Sequence, residues 1–195
     1  MNFKKALLTK ITGVFILITI LFTIVSQQKW DEYNGVIGAD VRGYYAYLPA
    51  LFINDDLKFE DKEVYKIEHG YAVWLSEDTT GQRFIKYTCG MSIMYSPFFL
   101  TAHGLAESLG AEPDGFSWPY KVGLIISSLF YLIIGIVFLS KLLLRFFDDR
   151  VVSVALLILY LGTNLFEFET GLLTFSHAYS FALIALFLFS TVKWL

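Results

Sequence analysis

Four long apolar runs constrain the fold of this chain more than any other feature of its sequence. They cover about residues 6–25, 120–140, 151–168 and 178–195. Each approaches the roughly 20 residues that a helix needs to cross a hydrocarbon core about 30 Å thick. Hydrophobic residues make up 56% of the chain, against roughly 45–50% in soluble domains. We therefore expect an all-α polytopic membrane protein with about four transmembrane helices.

The first run, 6–25, is expected to be an uncleaved anchor rather than a signal peptide. Lysines precede it, as they would in a signal peptide, but the apolar stretch is long enough to span a bilayer. The residues after it are Ser26-Gln27-Gln28-Lys29-Trp30, which lack a small-x-small cleavage pattern.

Positive charge predicts how the runs are oriented. If the weaker apolar stretch 88–109 is an interfacial helix rather than a span, the cations flanking the four runs all fall on one face, as expected for the cytoplasmic face. These cations are Lys4, Lys5, Lys10, Lys141, Arg145, Arg150 and Lys193. We therefore expect a cytoplasmic N-terminus in an integral protein of a bacterial inner membrane, with 26–118 and 169–177 on the outer face.

This orientation divides the chain into an anchor (1–25), an outer-face region (26–118) and three further transmembrane helices (119–195). Within the outer-face region we expect amphipathic interfacial helices at 40–53 and 91–108, and a small hairpin within 70–87. The same region holds 14 of the 18 acidic residues and 7 of the 15 basic ones, so the chain has no basic surface for nucleic acid. The chain ends inside its last run, and we expect a truncated product.

Asp40 is the first candidate for chemistry, within Gly38-Ala39-Asp40-Val41-Arg42-Gly43-Tyr44-Tyr45. A carboxylate at the edge of a membrane can take a proton from a hydroxyl or hold a divalent ion. The alternative is that Asp40 caps a helix starting near Val41, which aspartate does well.

Other polar residues could complete a site with Asp40. Arg42 and Lys86 could meet a phosphate, although a lysine at an interface also extends its ammonium group to water without a ligand. Glu169 and His177 border a short outer connection, where they could serve the site or simply face solvent. No metal-ligand cluster is apparent in the sequence, so no metal ligand is assigned.

The order of these segments resembles the amino-terminal part of the GT-C membrane glycosyltransferases. A first membrane helix is followed by an outer Asp40 and by an interfacial helix introduced by Lys86-Tyr87-Thr88-Cys89-Gly90. A helix pair with a basic inner turn and an outer loop ending in Ser176-His177 comes next. The pattern is most similar to protein O-mannosyltransferases and lipid A aminoarabinose transferases.

This resemblance implies inverting transfer of a sugar from a polyprenyl-phosphate donor to an acceptor on the outer face. Asp40 would be the catalytic residue, with a divalent metal as an alternative partner in some branches. The implied substrate-binding residues are Arg42, Tyr44, Tyr45, Lys86, Glu169 and His177. The rival interpretation is a non-catalytic membrane scaffold, or an assembly or transport subunit. Neither the sugar nor the acceptor, whether glycan, lipid or protein, follows from the sequence.

Overall fold

The computed structural model describes residues 6–28, 30, 32, 35–67, 70–71, 73, 75–171 and 174–195, and it is mostly helical. The helices are α1 Leu7–Gln27, α2 Ala39–Tyr45, α3 Tyr47–Phe52, α4 Gly90–Ala106, α5 Trp118–Leu143, α6 Asp149–Leu161, α7 Leu165–Thr170 and α8 Ser176–Trp194. Short 3-10 turns cover Lys62–Tyr65 and Glu107–Leu109.

Two short antiparallel strand pairs lie between α3 and α4. β1 Lys66–Ile67 pairs with β2 Gly70–Tyr71, and β3 Ser76–Glu77 pairs with β4 Arg83–Phe84. The turn between β3 and β4 is organised by Asp78, whose Oδ1 accepts hydrogen bonds from the backbone N–H groups of Thr80 and Gln82. The β3–β4 pair lies within 70–87, and the small hairpin expected there stays a prediction.

Among the described residues, three helices are long and apolar enough to cross a membrane, as in an integral membrane protein. They are α1, α5 and α8, close to the runs at 6–25, 120–140 and 178–195. The fourth run, 151–168, is not one continuous helix. Its residues form α6 and α7, with Gly162-Thr163-Asn164 between them. With 13 residues, α6 rises about 20 Å, which is less than a hydrocarbon core of about 30 Å.

The chain divides into two compact units. Unit 1 comprises Met1–Gln28 and Ser128–Leu195, and unit 2 comprises Lys29–Ser127.

In unit 1, the directions of the helices follow from their side-chain contacts. Thr12 of α1 meets Ser153 of α6 with their hydroxyl oxygens 2.5 Å apart, and Thr19 meets Tyr160 further along both helices. The partners advance together, so α1 and α6 run in the same direction. The same holds for α5 and α8, because ring contacts join Tyr131 to Tyr179 and Phe138 to Phe189.

Asp149 of α6 caps the first turn of α1. The flanking residue Ala6 offers no side-chain cap. Instead, the Asp149 carboxylate accepts hydrogen bonds of 2.8 Å from the backbone N–H groups of both Leu8 and Thr9. The Thr9 hydroxyl donates a third, and these bonds, aided by the charge of Lys10, lower the pKa of Asp149. One carboxylate therefore satisfies donors that a helix start leaves unpaired and ties α6 to α1.

Cysteines at 12 and 153 should form a disulfide, because the two hydroxyl oxygens they replace are 2.5 Å apart. We expect Thr12→Cys with Ser153→Cys, in a Cys89→Ser background, to cross-link in most of the membrane-embedded chains under mild oxidation. Digestion between the two positions, followed by non-reducing electrophoresis, measures the yield. The control pair is Thr12→Cys with Val154→Cys, since Val154 is exposed on another face of α6. Equal yields for the two pairs would contradict the contact between Thr12 and Ser153.

Unit 2 is built around an aromatic core beneath α2 and α3. Ala46 and Ala50 pack against buried Phe59 and Tyr65, and the rings of Tyr45, Tyr95 and Phe99 are also buried. Further buried members of the Ala46 cluster are Val73 and Ile85. The Tyr45 hydroxyl donates to the backbone oxygen of Gly115, which ties α2 to the segment before α5. The small side chains of Ala46 and Ala50 thus let large rings approach the backbone.

Burial raises the pKa of Tyr65 from its ordinary value near 10 to about 12. The neutral phenol is therefore favoured in the folded state. Below pH 10 the neutral phenol makes its full contribution to the free energy of unfolding, at most about 3 kcal/mol. This contribution is lost as the pH rises from about 10 toward 12. We expect Tyr65→Phe to flatten this part of the stability profile. Denaturant unfolding of the full chain in detergent, followed by tryptophan fluorescence, measures it, and equal slopes in both proteins would contradict the assignment.

Candidate functional site

The Asp40 carboxylate lies in the first turn of α2 and is partly exposed. Its Oδ1 accepts a hydrogen bond from the hydroxyl group of Tyr87, which is 47 residues away in the chain. Among the described residues, no hydrogen bond reaches the second oxygen, Oδ2. The carboxylate is thus held by one oxygen while the other remains available to a substrate.

The helix-cap interpretation of Asp40 is wrong. Helix α2 begins at Ala39, one residue before Asp40, and its N-cap is Gly38, with no side-chain capping hydrogen bond. Ala39 has φ +44°, a left-handed value that alanine rarely adopts. The chain therefore enters α2 through a tight turn, and Asp40 is directed to Tyr87 rather than to its own backbone.

The Tyr87 ring is packed directly on α2. A Cβ atom added at Gly43 would lie 1.9 Å from Cδ2 of Tyr87, so only glycine leaves room for the ring. Tyr44 meets the same ring edge-on, with the centroids 4.8 Å apart. The backbone carbonyl of Tyr87 accepts a 2.6 Å hydrogen bond from the Tyr47 hydroxyl. Tyr87 is held on both its ring and its backbone, and the position of Asp40 follows from it.

The charge around Tyr87 is mixed. The hydrogen bond to Asp40 raises the pKa of Tyr87, because a phenolate there would face a carboxylate, and burial adds to the effect. Lys86 acts in the opposite direction: its ammonium group lies 4.8 Å from the centroid of the Tyr87 ring. The Tyr87 side chain therefore contacts both the partly exposed carboxylate of Asp40 and the exposed ammonium group of Lys86.

The other predicted residues of unit 2 divide between surface and core. Arg42 is 8% exposed, so its side chain is largely buried rather than in solvent. Tyr44 is half-buried, and its carbonyl accepts a hydrogen bond from Ser92 of α4. Tyr45 is fully buried in the aromatic core. Of these residues, Tyr44 is the one whose ring borders the Asp40–Tyr87 contact.

The remaining two predicted residues belong to unit 1. His177 is exposed in the first turn of α8, and its ring stacks on Phe168 with the centroids 3.4 Å apart. Phe175 stacks on the same imidazole at 6.5 Å. Glu169 is the penultimate residue of α7, and its side chain lies outside the described part of the structure.

The residues described here offer no group of three or more His, Cys, Asp or Glu side chains arranged to hold a metal ion.

Tyr87 is the residue that the sequence did not reveal as part of the site. In the sequence, Tyr87 stands out only as part of the segment that leads into α4. All four β-strands lie between Asp40 and Tyr87 in the sequence. No local spacing of residues therefore predicts their contact.

Comparisons with known protein families, characterised proteins and solved structures found no match to this chain.

Proposed function

We propose that this chain is a membrane glycosyltransferase module of the GT-C type, transferring a sugar from a polyprenyl-phosphate carrier to an acceptor on the outer face. The observation that carries the proposal is the hydrogen bond from Tyr87 to Asp40. It holds a partly exposed carboxylate against a ring that the exposed ammonium group of Lys86 also contacts. The described part of the chain also has three helices long and apolar enough to cross a membrane.

In the proposed reaction, Oδ2 of Asp40 takes the proton of the acceptor hydroxyl group. The acceptor oxygen then forms a bond to the anomeric carbon as the bond from that carbon to the phosphate oxygen breaks. The configuration inverts, and the polyprenyl phosphate departs with the electron pair. Lys86 meets the charge that develops on the phosphate, because its ammonium group lies over the ring that orients Asp40.

The environment of unit 2 suits a donor whose tail is in lipid. Three side chains of α4 are apolar and exposed, as are two of α3. They are Ile93, Leu100 and Leu105 of α4, with Leu51 and Phe52 of α3. Exposed apolar side chains of this kind are stabilised at a membrane interface. We therefore place α3 and α4 at the outer interface, where a polyprenyl phosphate presents its headgroup.

The packing of unit 1 supports a fourth crossing at 151–168. Because α5 and α8 run in the same direction, the chain between them must return from the end of α5 to the start of α8. Helix α6 supplies about 20 Å of this return, and α7 continues it. We propose that both helices together cross the bilayer of a bacterial inner membrane. The N-terminus and the basic turn Lys141–Arg150 then lie in the cytoplasm.

The experiment that tests the function is transfer in proteoliposomes containing the full chain. Polyprenyl-phosphate mannose and polyprenyl-phosphate aminoarabinose, each labelled in the sugar, are supplied as donors with a membrane extract as the acceptor source. We expect label to leave the donor and appear in acceptor with inverted configuration. Retention of all the label on both carriers would contradict the proposal and favour the non-catalytic scaffold.

A further inference from the structure

The helix formed by the fourth apolar run is interrupted within unit 1. Helix α6 ends at Leu161, α7 begins at Leu165, and Gly162-Thr163-Asn164 joins them. A Cβ atom added at Gly162 would lie 2.6 Å from the carbonyl oxygen of Ile158, so a side chain at this position would collide with the last turn of α6. The packing of α6 therefore favours glycine at the point where the helix stops.

The parallel packing of α1 and α6 gives the depth of this break. Between the Thr12–Ser153 contact and the Thr19–Tyr160 contact, the chain advances seven residues on both helices. The two helices therefore keep the same level along their shared direction, and Tyr160 lies at the level of Thr19. The break starts two residues after Tyr160.

At the level of the break, the exposed surface of α1 is apolar. Just beyond Thr19, the side chains of Leu21 and Phe22 are 47% and 73% exposed. Helix α1 then continues to Gln27, about 8 Å beyond Phe22. Because α1 is long and apolar enough to cross a membrane, the break lies at hydrocarbon depth. In the proposed orientation it is a short distance below the outer boundary.

Polar groups are nevertheless exposed at the break. The side chains of Thr163 and Asn164 are exposed, and so is that of Glu167, three residues further on. The Thr163 hydroxyl bonds locally, since it donates to the carbonyl oxygen of Leu159 and accepts from the N–H of Leu165. The side-chain amide of Asn164 does not cap α7 and makes no hydrogen bond to the residues that the structure describes.

We propose that a water-filled crevice extends from the outer face down to Gly162-Thr163-Asn164. Irregular backbone does not face lipid in the hydrocarbon region, where each unpaired polar group is costly, but it is tolerated beside protein or water. A helix of another protein could hydrogen-bond to Asn164, but covering the break would also take Glu167 out of water, which is costly for an ionisable side chain. Water satisfies both side chains. It requires the proposed crossing by α6 and α7, but it is independent of the proposed sugar transfer.

Cysteine accessibility tests the crevice. Asn164→Cys and Phe22→Cys are compared in a Cys89→Ser background, with a membrane-impermeant methanethiosulfonate reagent added to sealed bacterial spheroplasts. Phe22 is the matched control, because it lies near the level of the break and is exposed on α1. We expect Asn164→Cys to react at least about tenfold faster, since the reactive thiolate forms in water and is suppressed in apolar surroundings. Glu167→Cys, further toward the outer face, should react at least as fast.

An inner-face control checks the crossing. Phe146 is 64% exposed in the turn after α5, and Phe146→Cys should be labelled only after the spheroplasts are opened. Labelling of Phe146→Cys and Asn164→Cys from the same side would overturn the proposal, because α6 and α7 would then not cross. Equal rates for Asn164→Cys and Phe22→Cys would overturn it too, as would protection of Asn164→Cys in both sealed and opened spheroplasts. These rates do not depend on transfer activity, so the crevice and the reaction can fail separately.

Discussion

Asp40→Asn should lower sugar transfer by roughly 10²–10⁴-fold, the range that a positioned general base contributes. Asparagine has nearly the same shape as aspartate, and its side-chain oxygen can still accept the hydrogen bond from Tyr87. What it cannot do is take a proton from the acceptor hydroxyl group. The substitution therefore removes the proposed chemistry while preserving the contact that orders α2.

The measurement is the initial rate of label transfer from polyprenyl-phosphate sugar in proteoliposomes, at equal protein content. Glu77→Gln is the matched control, because Glu77 is an exposed carboxylate of unit 2 on strand β3, away from the Asp40–Tyr87 contact. It should transfer at the wild-type rate. A wild-type rate in Asp40→Asn would remove the base from the mechanism, whatever the fold.

Tyr87→Phe separates orientation from chemistry. It keeps the ring on Gly43 and leaves the carboxylate in place, but it removes the hydrogen bond to Oδ1. A freely rotating carboxylate should still work, with a rate reduced by about tenfold. An effect as large as that of Asp40→Asn would mean that Tyr87 itself takes part in proton transfer.

The long apolar helices could be predicted because their signal is local. Runs of apolar residues predicted spans at 6–25, 120–140 and 178–195, and the structure has long helices at each. In the run at 151–168, the structure has two helices instead of one. Apolar content alone does not tell a continuous helix from two helices joined at Gly162-Thr163-Asn164, although glycine and asparagine are the residues that interrupt helices.

The site was predictable only in part, since its contacts join distant segments. Asp40 could be predicted as a candidate catalytic residue because it follows an apolar run and lies among glycines and tyrosines. Its partner Tyr87 is linked to it by folding through the strand region, and no periodicity reports such a contact. The capping of α1 by Asp149 could not be predicted for the same reason, because the two are about 140 residues apart in the sequence. A capping side chain usually belongs to the N-cap residue itself, but the N-cap residue of α1 is Ala6, which has no side chain that could accept a hydrogen bond.

Gly43→Ala should destabilise unit 2 by about 1–3 kcal/mol, the usual cost of overpacking. In an exposed helix this change is favourable by about 0.5–1 kcal/mol. At Gly43, however, the new Cβ would lie 1.9 Å from Cδ2 and 2.5 Å from Cε2 of Tyr87. The ring would have to move away from α2 and take its hydroxyl group from Asp40. We therefore expect transfer to fall together with stability.

Gly104→Ala provides the matched control, because Gly104 is an exposed residue of α4 with nothing within 4 Å of an added Cβ. It should raise stability by about 0.5–1 kcal/mol in denaturant unfolding of the full chain in detergent. The decisive comparison is Gly43→Ala in a Tyr87→Ala background. If the Tyr87 ring causes the clash, alanine at 43 should there be neutral or favourable, since the ring is gone. An equal loss in both backgrounds would show that Gly43 serves the backbone of α2 rather than the tyrosine that holds Asp40.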